Sequence, residues 1–261
     1  MQQNKRVNLE TLCLPSKLIK WIGNAPLYEN SGLSGARTFY IDNDHGAFLK
    51  VAPSKSLFVS SKLQSHLAKH SLSAPIILYI SKDKDYLLSE SLKGKNGVSN
   101  KYLSKPDRLS RTFGLSLKLL HEIDIANFTI KNKMSDLIFM ANNSLFLQNH
   151  LDLLSDYIGI SYAETAKEEI MSSVGILNND SIIHGDYCLP NIILDKWRFK
   201  GFVDFDEGGI GDRHYDIAWG LWSLAYNFKS SEYGQIFLDA YGRENIDKEA
   251  LRVCGLLASM E

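Results

Sequence analysis

His184-Gly185-Asp186-Tyr187-Cys188-Leu189-Pro190-Asn191, followed by Gly201-Phe202-Val203-Asp204, gathers side chains that can manage a charged reaction. Asp186 offers a carboxylate, Asn191 an amide oxygen five residues later, and Asp204 a second carboxylate. Apolar runs border them, with Ile192-Ile193-Leu194 after the amide and Phe202-Val203 leading into Asp204. Oxygen donors at strand ends suit Mg²⁺, a hard ion that takes one or two carboxylates together with substrate phosphates. Asn191 and Asp204 are therefore the candidate metal ligands. Asp186 is the candidate base that orients a hydroxyl and takes its proton. His-Gly-Asp alone is a common turn, because Gly and Asp favour turns; the information lies in the whole string.

The upstream elements must supply whatever carries the phosphates. Leu27 to Asn30, Thr38 to Ile41 and Ala47 to Val51 read as strands, joined by the loop Ser31-Gly32-Leu33-Ser34-Gly35-Ala36-Arg37 and the turn Asp42 to Gly46. Gly32 and Gly35 allow backbone N–H groups to approach a phosphate, and Ser31 and Ser34 add hydroxyl donors. Such a loop is also an ordinary hairpin turn, and no G-x-x-x-x-G-K-[ST] pattern is present. Lys50 lies on the third strand. Alternation puts Phe48 on the same side, an aromatic to stack on a base beside an ammonium to meet phosphates. A core Phe next to a surface Lys has the same spacing.

With these elements in place, the segment Ile182 to Ala218 resembles the aminoglycoside phosphotransferase family, above all the 3'-phosphotransferases. It carries H-G-D-x-x-x-x-N, a strand, a turn, apolar-apolar-Asp, and then Asp212-Arg213-His214-Tyr215-Asp216-Ile217-Ala218. Protein kinases use the same spacing of base, amide ligand and carboxylate ligand. The resemblance runs from about Ser31 to Leu257. It implies an α+β, two-lobed protein-kinase-like fold, with a small N-terminal antiparallel sheet lobe holding one helix and a larger, mainly helical C-terminal lobe. It places the lobes at 1–95 and 96–261, with Ser89-Glu90-Ser91-Leu92 as the hinge. Ser89 and Ser91 would then meet the adenine edge through their backbone. It further implies ATP (or GTP) and Mg²⁺ as cofactors, and transfer of the γ-phosphoryl group to an aminoglycoside hydroxyl, the 3'-hydroxyl first, conferring resistance.

The resemblance also assigns acidic residues between 135 and 175, and Glu261, to the drug. Asp216 is expected to cap the helix from Ile217 to Phe228 and to brace the catalytic loop. Three positions depart from the pattern, one of them Leu189, where some relatives carry an acid. No acidic residue occurs between Val51 and Lys82, so Ser60 stands where active kinases have a helix Glu paired to the strand lysine. Asp204-Phe205-Asp206 replaces Asp-Leu/Phe-Gly, which makes Asp206 a candidate substitute partner for Lys50. Two other readings follow: a kinase of another small alcohol, or a nucleotide-binding homologue with little activity.

Composition sets the outer bounds. The 261 residues are 44% hydrophobic and 23% charged, an ordinary globular balance. The opening Met1-Gln2-Gln3-Asn4-Lys5-Arg6 has no apolar signal-peptide core, and no run is long enough to span a bilayer. Cys13, Cys188 and Cys254 form neither a disulfide framework nor a zinc pattern, which points to a reducing cytoplasm. Net charge is −1, but residues 1–95 hold 13 basic and 7 acidic residues while 96–261 hold 16 and 23. That polarity suits a polyanion on one part and a cation on the other; solvated faces that merely differ would give the same counts. The expected partner is a small cationic substrate, with no nucleic acid or membrane, and the expected state is a monomer or weak dimer. Helices are further predicted over 57–70, 106–123, 232–241 and 247–259, and a helix broken at Pro15 over the first 22 residues.

Overall fold

In the computed structural model, which describes residues 5–30, 36–126, 128–130, 132–141, 148–159 and 166–259, the chain divides into two units, 1–92 and 93–261. Ser31, Gly32, Ser34, Gly35 and Glu261 lie outside the described residues.

In the first unit the period of two decides the sheet. Its elements are β1 (Lys5–Val7), α1 (Ser16–Ile22), β2 (Leu27–Asn30), β3 (Arg37–Ile41), β4 (Ala47–Pro53), α2 (Phe58–Lys69), β5 (Ile76–Ser81) and β6 (Lys84–Glu90). Six strands pair in the order β1-β2-β3-β4-β6-β5, every neighbour antiparallel. Ala47 and Leu49 of β4 and Leu88 of β6 face a core shared with Phe39, Ile41 and, from α1, Leu18 and Ile22. Ala52 and Leu87 face the other way and pack with Leu57. The helix expected over the first 22 residues exists only from Ser16. Pro15 stands at its N-cap, where its fixed φ costs nothing. Before it, Leu9–Leu12 form a 3₁₀ turn capped by Asn8, and Lys5–Val7 pairs as an edge strand with Leu27–Glu29.

The second unit contains β7 (Lys95–Asn96), α3 (Asn100–Leu103), α4 (Pro106–His121), α5 (Lys133–Ala141), α6 (Gln148–Ile158), α7 (Ala166–Ser173), β8 (Ser181–Ile183), β9 (Ile192–Asp195), β10 (Arg198–Phe202), β11 (Gly209–Gly211), α8 (Arg213–Phe228), α9 (Glu232–Tyr241) and α10 (Lys248–Leu257). Leu109, Phe113, Leu117 and Leu120 form the fully buried stripe of α4, which packs along α9. Helix α8 packs on α4, α6, α9 and α10. Its aromatics are only partly core: Trp219 and Trp222 are half-buried and Tyr226 is exposed. Two short ladders, β10-β9-β7 and β11-β8, carry the segment from Ile182 to Asp204. The α+β class is the one the sequence implies.

Candidate active site

Strand β8 is buried along its whole length and paired to β11, so its end delivers the next residues to a fixed place. Gly185 sits at φ +82, where a side chain is strained, and a Cβ there would run into the Glu207 carbonyl. The His184 and Gly185 N–H groups donate to the two oxygens of Asp216, at 2.6 and 2.9 Å. His184 Nε2 donates to the Val203 carbonyl at 3.0 Å. The loop is thus held through its main chain, and half-buried Asp186 presents its side chain from a pinned backbone.

Asn191 completes the turn. Cys188 N–H donates to Asp186 O, and Asn191 N–H to Cys188 O, both at 2.9 Å. Asn191 Nδ2 then donates to Asp186 O at 2.9 Å and to Asp186 Oδ2 at 2.8 Å. An amide has two N–H donors. Both go to Asp186, so Oδ1 is the end of Asn191 turned to other business. Its main-chain carbonyl accepts from Val203 N–H at 3.0 Å, one residue before Asp204. Asp204 is exposed and takes a left-handed φ of +65, a conformation uncommon outside glycine and typical of functional strain. Asp186 and Asn191 are therefore in direct contact, and the 191–203 bond sets Asp204 next along the same hairpin.

A second layer supports this loop, and the sequence did not reveal most of it. Fully buried Asp216 also meets His121 Nε2 at 3.3 Å, and His121 Nδ1 meets the Tyr241 hydroxyl at 2.9 Å. Burial holds His121 below its ordinary value although Asp216 pulls the other way, so the ring is neutral at pH 7. The carboxylate makes Nε2 the donor, leaving Nδ1 to accept from Tyr241. The capping role expected of Asp216 belongs instead to Asp212, whose Oδ1 accepts from His214 N–H at 2.9 Å. Asp216 is one turn inside the helix, with both oxygens spent on the loop. Ser223, also on α8, accepts from Leu189 N–H at 3.0 Å. Tyr187 donates to Phe113 O at 2.7 Å and stacks on the Phe113 ring at 4.3 Å. Glu207 forms an ion pair with Lys133 at the start of α5, and Asn132 bridges in parallel to Ile210.

In the first unit, Phe48 and Lys50 share the β4 face that carries Ala52. Across β6 they oppose Ser89 and Leu87, and across β3 Tyr40 and Thr38. The Phe48 ring lies 5.2 Å from that of Tyr40. Ser91 N–H donates to Gly46 O at 3.1 Å, so the main-chain group Ser91 has left for a ligand is its carbonyl. Phe48, Lys50 and Ser89 thus lie on one sheet face, with Ser91 just beyond the end of β6.

Known proteins give this geometry its context. A family profile described as "Phosphotransferase enzyme family" matches residues 29–254. A Lactococcus lactis protein named "Probable aminoglycoside 3'-phosphotransferase" is 36% identical over 252 residues, 96% of this chain and 95% of that one. An aminoglycoside 3'-phosphotransferase of Niallia circulans is 29% identical over 94% of this chain and 97% of its own length. Among solved structures, a type VIII aminoglycoside-3'-phosphotransferase shares the fold with a TM-score of 0.67 at 20% identity, covering 87% of this chain and 90% of that one. By the extent of the profile match and the identity to the Lactococcus protein, the chain belongs to the phosphotransferase enzyme family that includes the aminoglycoside phosphotransferases.

Proposed function

We propose that this protein transfers the γ-phosphoryl group of ATP to a hydroxyl of an aminoglycoside antibiotic, the 3'-hydroxyl first, and thereby confers resistance. The observation that carries the proposal is the Asp186–Asn191 contact on a loop pinned by Asp216. Support comes from likeness to named 3'-phosphotransferases along nearly the whole chain.

In this reading Asp186 Oδ1 accepts the hydrogen of the acceptor hydroxyl while Asn191 holds Oδ2. Asn191 Oδ1 and the Asp204 carboxylate are the hard oxygen donors that fit Mg²⁺. When bound, that ion neutralises charge on the transferring phosphates. Lys50, with Ser31, Gly32, Ser34 and Gly35, meets the phosphates. Phe48 lies under the adenine, and the backbone of Ser89 and the carbonyl of Ser91 meet its edge. Positioning and charge compensation carry the rate, since phosphoryl transfer asks little covalent chemistry of the protein. The acidic excess of residues 96–261 favours a polycationic acceptor. Among the described residues no helix is long and apolar enough to cross a membrane.

A coupled ADP-release assay with kanamycin and neomycin tests the proposal, with GTP as the alternative donor and Asp186→Ala as control. Turnover on either drug, lost in the control, is expected. Nucleotide binding without turnover on any aminoglycoside would overturn it.

A further inference from the structure

Helix α2 carries no acid, because none occurs between Val51 and Lys82. The Lys–Glu pair that ties this helix to the lysine strand in protein kinases has no helix partner here. A different carboxylate holds it. Asp85 of β6 is fully buried and accepts four hydrogen bonds. Oδ1 takes the Lys55 N–H at 2.9 Å and the Ser81 hydroxyl at 2.6 Å; Oδ2 takes the Leu57 N–H and the Tyr79 hydroxyl, each at 2.9 Å. A carboxylate has about four acceptor sites, so all are used.

Two of those donors lie in the connection from β4 to α2. Leu57 is the N-cap residue of α2, which has no side-chain cap of its own and no acid in its first turn. Asp85 therefore supplies, from a neighbouring strand, the negative charge that the helix N-terminus favours. Strand register places this at the Lys50 face: Asp85 opposes Ala52 and Leu87 opposes Lys50. Leu57, fixed by its N–H, packs with Ala52, Leu87 and Ala36, the first described residue past Gly35. From the middle of the helix, Gln64 Nε2 donates to Ala74 O at 3.0 Å.

We propose that Asp85 is a positioning residue for nucleotide binding, fixing the start of α2 against β4 and β6 and so the face that carries Lys50. It rests on the phosphotransferase reading only in taking the ligand to be a nucleotide. Asp85 acts through Leu57 and the Ala52–Leu87 cluster, in place of a lysine–glutamate pair.

The test is Asp85→Asn in the full chain, which sets an NH₂ against donors. Mg²⁺·ATP affinity is read with a fluorescent ATP analogue and no acceptor present, and amide hydrogen exchange is followed over residues 53–69. Affinity about tenfold weaker is expected, as the competent population falls, with faster exchange over 53–69. Faster exchange with affinity within twofold of the parent would show a merely structural anchor and overturn the proposal. Unchanged exchange would overturn it as well. Should Asp85→Asn not fold, the Tyr79→Phe/Ser81→Ala double variant keeps both backbone donors, and about threefold weaker binding is expected; unchanged binding counts against the proposal. A parent protein that binds no nucleotide would sink the phosphotransferase reading instead, a result distinct from these.

Discussion

Asn191 donates to Asp186 Oδ2 at 2.8 Å, so the amide assigned to the metal also fixes the acid assigned to the acceptor. Substituting either disturbs both tasks, but unequally. Asp186→Ala removes the base and is expected to lower kcat about 10²–10⁴-fold with ATP affinity retained. Asn191→Ala is expected to raise the Mg²⁺ concentration for half-maximal rate as well as lowering kcat. Steady-state rates at varied Mg²⁺ separate the two; identical Mg²⁺ curves would refute the division of roles.

Asp216 accepts two backbone N–H groups and faces His121 from full burial. In Asp216→Asn, the new NH₂ must face a donor. A loss of about 1–3 kcal/mol is expected for leaving a buried group unpaired, read as a lower Tm. Because the disturbed donors belong to His184 and Gly185, kcat should fall too. A variant with the parent's Tm would remove Asp216 from the support of the loop.

Acid stability follows from two buried carboxyls. Burial pushes Asp85 up, but the bonds from Ser81, Lys55, Leu57 and Tyr79 outweigh it and hold the group below its ordinary value of 3.8. Burial likewise raises Asp212, and His214 and the Asn178 N–H more than reverse it. A lowered folded-state value gives stability that is present above the ordinary carboxyl range and lost as pH falls through the folded value. Thermal melts should therefore be insensitive to these groups from neutral pH to about pH 5 and lose stability below about pH 4. Asp85→Asn should flatten part of that acid slope; an unchanged slope would contradict the assignment.

Thiol reactivity offers a check independent of activity. Cys13 is exposed, while Cys188 and Cys254 are buried, and burial pushes both of those thiols well above their ordinary value. The thiolate is the reactive form. One fast-reacting thiol per folded chain is expected with Ellman's reagent, the other two appearing only on denaturation. Cys13→Ser should abolish the fast phase. Rapid modification of Cys188 would mean that the loop from His184 to Asn191 opens.

The candidate string from His184 to Asp204 was legible because its parts are neighbours in sequence. A turn, two short strands and a five-residue spacing bring Asp186, Asn191 and Asp204 together locally. The β3 and β4 strands were legible for a similar reason, since alternation alone sorts Phe48 and Lys50 from Leu49. What could not be read depended on distant segments. Asp85 sits in Lys82-Asp83-Lys84-Asp85, which looks like a solvated turn, yet it is buried because donors 28 and 30 residues away converge on it. The exchange of roles between Asp212 and Asp216 hangs on where β8 ends. His121 is packed inside the second unit by partners that come 95 and 120 residues later. Lys5–Val7 escaped because a three-residue edge strand has almost no period.

Gly185 meets the Glu207 main chain with no side chain between them, and Glu207 in turn pairs with Lys133 of α5. Such a crossing has almost no mutational slack: a single added methyl at residue 185 displaces the segment that follows Asp204. Sequence change therefore has few workable moves there. It has many on α5 and α7, where Phe139, Met140 and Met171 already face solvent. Those surface positions can vary while the crossing at Gly185 stays fixed.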